Sequence, residues 1–207
     1  MRYEFLVDTY ATERIKVVSM WTEFSEDELE IRPKADDARG RSVREQMVHQ
    51  CVSEDLWFRT MLKIDVGAPP LPKEEKRNEF IRRYLEDSGK RLGVLAEKSE
   101  AWWESETDFF DVKRTMAWVM TRRIAHTAHH RGQQMAMLRM LGRDLHSNYG
   151  PTADTGGLMQ NHAPTIYAYD ALDDLLKDLE EGKRKRKLPG GGVKPVTERP
   201  KTKDGRQ

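Results

Sequence analysis

One cysteine in 207 residues, Cys51, leaves no partner for an intramolecular disulfide and no basis for a cysteine-built zinc cage. No apolar run approaches the roughly 20 residues that a membrane-crossing helix needs. The stretch MRYEFLVDTYATERIK carries acidic residues where a signal peptide would carry an apolar block. The expected location is therefore the cytoplasm. A P-loop, a dinucleotide glycine fingerprint and a Ser-His-Asp order are also missing, so no sequence mark of nucleotide-dependent or serine-nucleophile chemistry is present.

Basic charge is scarce through most of the chain. The first 182 residues hold 26 Lys or Arg against 33 Asp or Glu, whereas residues 183–207 hold ten basic residues against Glu198 and Asp204. An acidic body argues against a nucleic-acid-binding core, which should present a basic patch. The KRKRK run would supply only salt-sensitive, non-specific attraction. Beyond Gly182 there is no apolar periodicity, and three consecutive glycines and three prolines follow. The expectation is one helical domain over 1–182 and a disordered basic tail over 183–207. With 37% hydrophobic and 34% charged residues, the body is long enough for a real core under a wet surface.

Apolar spacing at Phe5, Val7, Tyr10, Ile15, Val18 and Trp21 predicts a first helix over 4–23. Ser42-Val43-Arg44-Glu45 reads as a capping box, in which the serine hydroxyl and the glutamate carboxylate satisfy each other's orphan amides. It predicts a second helix over 43–64, stopped by Gly67 and the Pro69-Pro70-Leu71-Pro72 break. A third helix is expected over 73–103, with a kink or a close helix contact at Gly89 and Gly93. ESETDFFDVKR reads as a connection to a fourth helix over 115–141, closed by Gly142 as a left-handed cap. A short amphipathic helix is expected over 166–181, and no strand. The predicted architecture is all-α: four long helices, an extra C-terminal helix and the tail.

Three of six histidines fall in the fourth helix, in RRIAHTAHHRGQQMAMLRMLG (122–142). Positions four apart stack on one helix face, so His126 and His130 point the same way while His129 lies to the side. Two imidazoles so placed can share one divalent ion, and an identical pair also occurs on solvated faces. His49, on the capped second helix, is a candidate third ligand, although a lone histidine there is equally a hydrogen-bonded core residue. Three nitrogens and an open coordination position form a catalytic type of site. Imidazole-only ligation suits zinc or nickel, and also iron, manganese and copper. Gln133, three residues after His130, is a candidate to orient a ligand ring, with a plain helix-helix hydrogen bond as the alternative. Arg131, beside His130, is a further candidate near the site that could complement an acidic substrate, a surface salt bridge being its ordinary use. Glu45 belongs to the capping box, and Glu54 and Asp55 receive no catalytic role. His146 and His162 fall in or beside loops. The tryptophans Trp57, Trp102, Trp103 and Trp118 are assigned to the core.

HTAHHRGQ (126–133), the helix-two histidine in SVREQMVHQ, Trp57 two turns later and Pro33 in the first connection together resemble the DinB-like (DinB/YfiT-like) family, whose members are regarded as metalloenzymes. The resemblance spans about 4–180. It implies a four-helix bundle of up-down-down-up type, common dimerisation, and ligation by the residues matching His49, His126 and His130. Characterised relatives include transferases and isomerases that use low-molecular-weight thiols such as bacillithiol or mycothiol. The implied function is thiol transfer to an electrophilic small molecule, with metal-dependent hydrolysis or a non-catalytic metal-binding stress role as alternatives.

Overall fold

The computed structural model describes residues 2–190. By contacts the chain divides into two compact units, Met1–Gly142 and Arg143–Gln207. The first unit carries α1 (Glu4–Trp21), α2 (Val43–Thr60), α3 (Arg77–Ala96), α4 (Glu100–Glu104), β1 (Glu106–Phe109), β2 (Val112–Thr115) and α5 (Met116–Met140). The second carries short 3-10 turns at Ala153–Thr155 and Met159–Asn161 and then α6 (Leu172–Glu181). The fold is mostly helical, and among the described residues no helix is long and apolar enough to cross a membrane.

Helices α1 and α2 each pack against both α3 and α5. A shared apolar core runs through Leu6 and Tyr10 of α1, Trp57 and Phe58 of α2, Leu95 of α3, Trp103 of α4 and Val119 and Met120 of α5. Charged residues are set into the same interior. Glu54, fully buried on α2, accepts hydrogen bonds from Tyr10 (2.7 Å) and Tyr84 (2.8 Å) and pairs with Arg91 (3.3 Å) and Arg123 (3.7 Å). Those partners lie on α1, α3, α3 and α5, so one carboxylate ties the four long helices together. Arg91 also reaches Asp55 at 3.1 Å.

The start of α2 follows the capping box. Ser42 Oγ accepts from the Glu45 amide at 3.2 Å, and Glu45 Oε2 accepts from the Ser42 amide at 2.8 Å. Substituting Ser42→Ala should cost about 1 kcal/mol, read as a shift in the urea midpoint with an unchanged slope. Gly142 adopts φ +70°, the left-handed conformation expected of a closing glycine.

Several elements differ from expectation. The third helix stops at Ala96, because Ser99 caps a separate turn of helix by accepting from the Trp102 amide. It runs unbroken through Gly89, the site of the close helix contact expected as the alternative to a kink: a Cβ there would stand 3.1 Å from the Arg14 guanidinium of α1, which would have to shift by a few tenths of an ångström. The connection ESETDFFDVKR is an antiparallel hairpin, Glu106 facing Thr115 and Phe109 facing Val112. Its two-residue turn places Phe110 at φ +54° without the Asn-Gly or Gly that usually announces such a turn, so the all-α expectation failed there. The last helix begins at Leu172 rather than 166. Trp118, assigned to the core, is 40% exposed. Of the expected basic tail, 191–207 lies outside the described residues. In 183–190, Arg184 pairs with Glu181 and Arg186 with Asp170.

Candidate metal centre

Helices α2 and α5 bring His49, His126 and His130 together, with one ring nitrogen from each within 4.8 Å of the others. His126 and His130 present their Nε2 atoms to each other at 3.2 Å, as two turns of one helix face dictate. The His49 ring stands 4.6 Å from that of His130 and 5.4 Å from that of His126, centroid to centroid. Imidazole nitrogens bind zinc at about 2.0–2.1 Å, and two of them 3.2 Å apart subtend roughly 100° at such an ion.

The tautomer of His130 follows from its partners. Its Nδ1 lies 2.9 Å from Gln46 Oε1 and 3.1 Å from Gln133 Oε1. Both oxygens only accept, so Nδ1 carries the proton and the Nε2 lone pair faces the cluster. Gln46 Nε2 donates to Gln133 Oε1 at 2.9 Å, and the Gln133 amide reaches His129 Nε2 at 3.0 Å. The two glutamines thus hold one ligand ring in a fixed orientation from two helices. Gln46→Leu should weaken metal binding about 10–100-fold in a chelator-competition titration while α2 and α5 stay folded by circular dichroism.

All three rings are held neutral. Burial pushes His126 down to about 3, and the charges of Arg123 and the neighbouring histidines add to it. Burial likewise lowers His130 to about 4, with His49 and His129 contributing, and burial followed by Arg41 and Arg123 lowers His49. Neutral imidazole is the form that donates to a metal. Further, His126 Nδ1 is buried with no hydrogen-bond partner. A buried ring with one nitrogen unpaired is costly, and its other nitrogen meets the His130 Nε2 lone pair at 3.2 Å. A cation held by both Nε2 atoms can take the place of a single proton between them, so the donor set fits a divalent ion.

The remaining walls are aromatic and cationic. Trp57 stacks on the His126 ring at 5.5 Å and 22°, and Phe109 of β1 meets Trp57 edge-on at 5.3 Å. Arg123, buried, lies over the Trp57 ring and donates to Ser53 at 3.0 Å and Thr127 at 3.2 Å. Of the two candidate residues near the site, Gln133 touches His130 and His129, whereas Arg131 turns away to a buried ion pair with Glu13 on α1. Its salt bridge is thus internal rather than at the surface. His129 is exposed. Glu45 stays in its cap and Glu54 in the interior network, and burial drives the Cys51 thiol upward, away from nucleophilic use. Gln46 and Phe109 were not singled out from the sequence. The signal for Gln46 was its i,i+3 relation to His49; Phe109 had none while its segment read as a loop.

The protein is thus mostly helical, and two neighbouring helices pool three histidines that could hold one metal ion. The DinB family model matches residues 6–156, and the chain belongs to the DinB family. It is similar in fold to a DinB-like protein from Bacillus cereus, known from a crystal structure, at 16% identity and a TM-score of 0.60; 70% of this chain and 97% of that one are covered. A DinB-like protein from Bacillus subtilis is also similar, at 16% identity and a TM-score of 0.52, with 67% and 92% covered. No curated protein matches the sequence.

Proposed function

We propose that this DinB family member is a divalent-metal enzyme that transfers a low-molecular-weight thiol to an electrophilic small molecule. The observation that carries the metal reading is the meeting of His49, His126 and His130 with the His130 Nδ1–H fixed by Gln46 and Gln133. Three neutral ligands leave the ion its full positive charge, which would raise the acidity of a bound thiol or water at neutral pH. The chain's own residues fix the rings, keep them unprotonated and wall the centre with Trp57 and Phe109. The thiol follows from the resemblance to thiol-using relatives, and the same centre would serve hydrolysis.

The contacts of α1 and α2 with α3 and α5 suit the up-down-down-up four-helix bundle of the family, and a cytoplasmic homodimer completes the proposal. The test is metal analysis of protein purified without a nickel column, followed by turnover assays against a panel of electrophiles. About one zinc or nickel per chain is expected, with turnover only when a thiol is present. Turnover without thiol selects hydrolysis. A chain that carries no metal and takes none up on titration would be neither.

A further inference from the structure

The segment that leads into α2 is crowded with cations, and nearly all of them are already neutralised. Arg32 pairs with Glu45 at 2.6 Å, Lys34 with Asp36 at 3.6 Å, Arg39 with Asp37 at 2.6 Å and Arg44 with Glu30 at 2.6 Å. Arg41, in the middle of them, makes no hydrogen bond or ion pair among the described residues. Nearby Glu45, on which the Arg41 charge acts without a hydrogen bond, already accepts from Arg32 and from the Ser42 amide.

Two surface clefts meet at this residue. One, of about 470 Å³, is lined by Ala38, Arg41, Glu45, Val48, His49 and Val52, with Glu45 already engaged by Arg32. The other, of about 250 Å³, is lined by Arg41, Gln46, Gln133 and Met137. The first has a cluster histidine in its wall and the second has both glutamines that orient His130. An unpaired guanidinium at the mouth of a metal site is a ready partner for an anion, because its planar fork can bind a carboxylate or phosphate through two parallel hydrogen bonds.

We propose that Arg41 binds an anionic group, carboxylate or phosphate, on the molecule whose reactive atom reaches the three-histidine centre. This assignment rests on the metal reading above and narrows its substrate class to acidic small molecules. Val48 and Val52 line the cleft that holds His49 and Met137 lines the other, so each cleft offers apolar surface beside Arg41 that suits a short apolar stem.

The test uses the full chain loaded with cobalt(II), whose visible absorption reports thiol binding. The probes are 3-mercaptopropionate and its neutral counterpart 3-mercapto-1-propanol. The wild type should bind the acid at least about 10-fold tighter. Arg41→Gln should erase that preference while leaving cobalt uptake and binding of the neutral thiol within about threefold. Lys34→Gln, which removes a cation already held by Asp36 and outside both clefts, should keep the preference. Competition by propionate or by propylphosphonate in the wild type, absent in Arg41→Gln, tells which anion the site takes. The assignment is overturned by equal binding of the two thiols in the wild type, by a preference that survives in Arg41→Gln, by equal loss in Lys34→Gln, or by competition from neither anion. A wild-type chain that takes up no cobalt overturns the metal reading itself, and the Arg41 assignment falls with it.

Discussion

His130→Ala is expected to lower zinc affinity by at least about 100-fold, measured at pH 7 by competition with a chromophoric chelator. The change removes one of three donors and leaves Gln46 and Gln133 with no ring to hold. His126→Ala and His49→Ala should act similarly, each reducing the set to two nitrogens. His129→Ala is the informative contrast. His129 is exposed, meets the His130 ring edge-on at 5.1 Å and bonds the Gln133 amide without offering a nitrogen to the cluster, so affinity should fall by no more than about threefold. Equal losses at all four positions would mean that the ion binds the helix surface rather than this cluster.

Glu54→Ala is expected to cost about 3–5 kcal/mol of stability, read by urea denaturation. Removing the carboxylate leaves Arg123, nearly inaccessible to solvent, without its buried counter-charge, leaves Arg91 with Asp55 alone, and strips two tyrosine hydroxyls of their acceptor. The exposed pair Lys90–Glu86 offers the comparison: Glu86→Gln should leave the unfolding midpoint unchanged within error, because water already solvates both partners. A loss below about 1 kcal/mol at Glu54 would contradict the interior network.

What could be read from the chain and what could not divides along physical lines. The capping box at Ser42, the closing glycine at 142 and the i,i+4 histidines are local signals, fixed by neighbours within one turn, and each is present in the structure. The third histidine required a contact between helices far apart in sequence, and the family resemblance rather than periodicity singled out His49. Periodicity misled where polar residues occupy the interior. On α1 the buried stripe runs Leu6, Tyr10, Glu13, Arg14, Val17 and Trp21, whereas Phe5 and Ile15, counted as apolar markers, are exposed. Ion pairs such as Glu13–Arg131 allow that inversion, and nothing in a hydrophobic pattern encodes them. The hairpin was missed for a similar reason: its register is held by backbone pairing across a turn that tolerates Phe110 at positive φ.

The shared carboxylate of Glu54 has one more consequence. It lies five residues from His49 on α2, and its partner Arg123 lies three residues before His126 on α5. The two helices that supply the ligands are therefore clamped beside the cluster by protein groups alone. Metal capture in such a scaffold is uncoupled from folding, unlike that of small domains that collapse only around their ion. A chelator should strip this chain to a metal-free form that keeps its helices and its unfolding cooperativity, and reloading should require ring rotations rather than refolding.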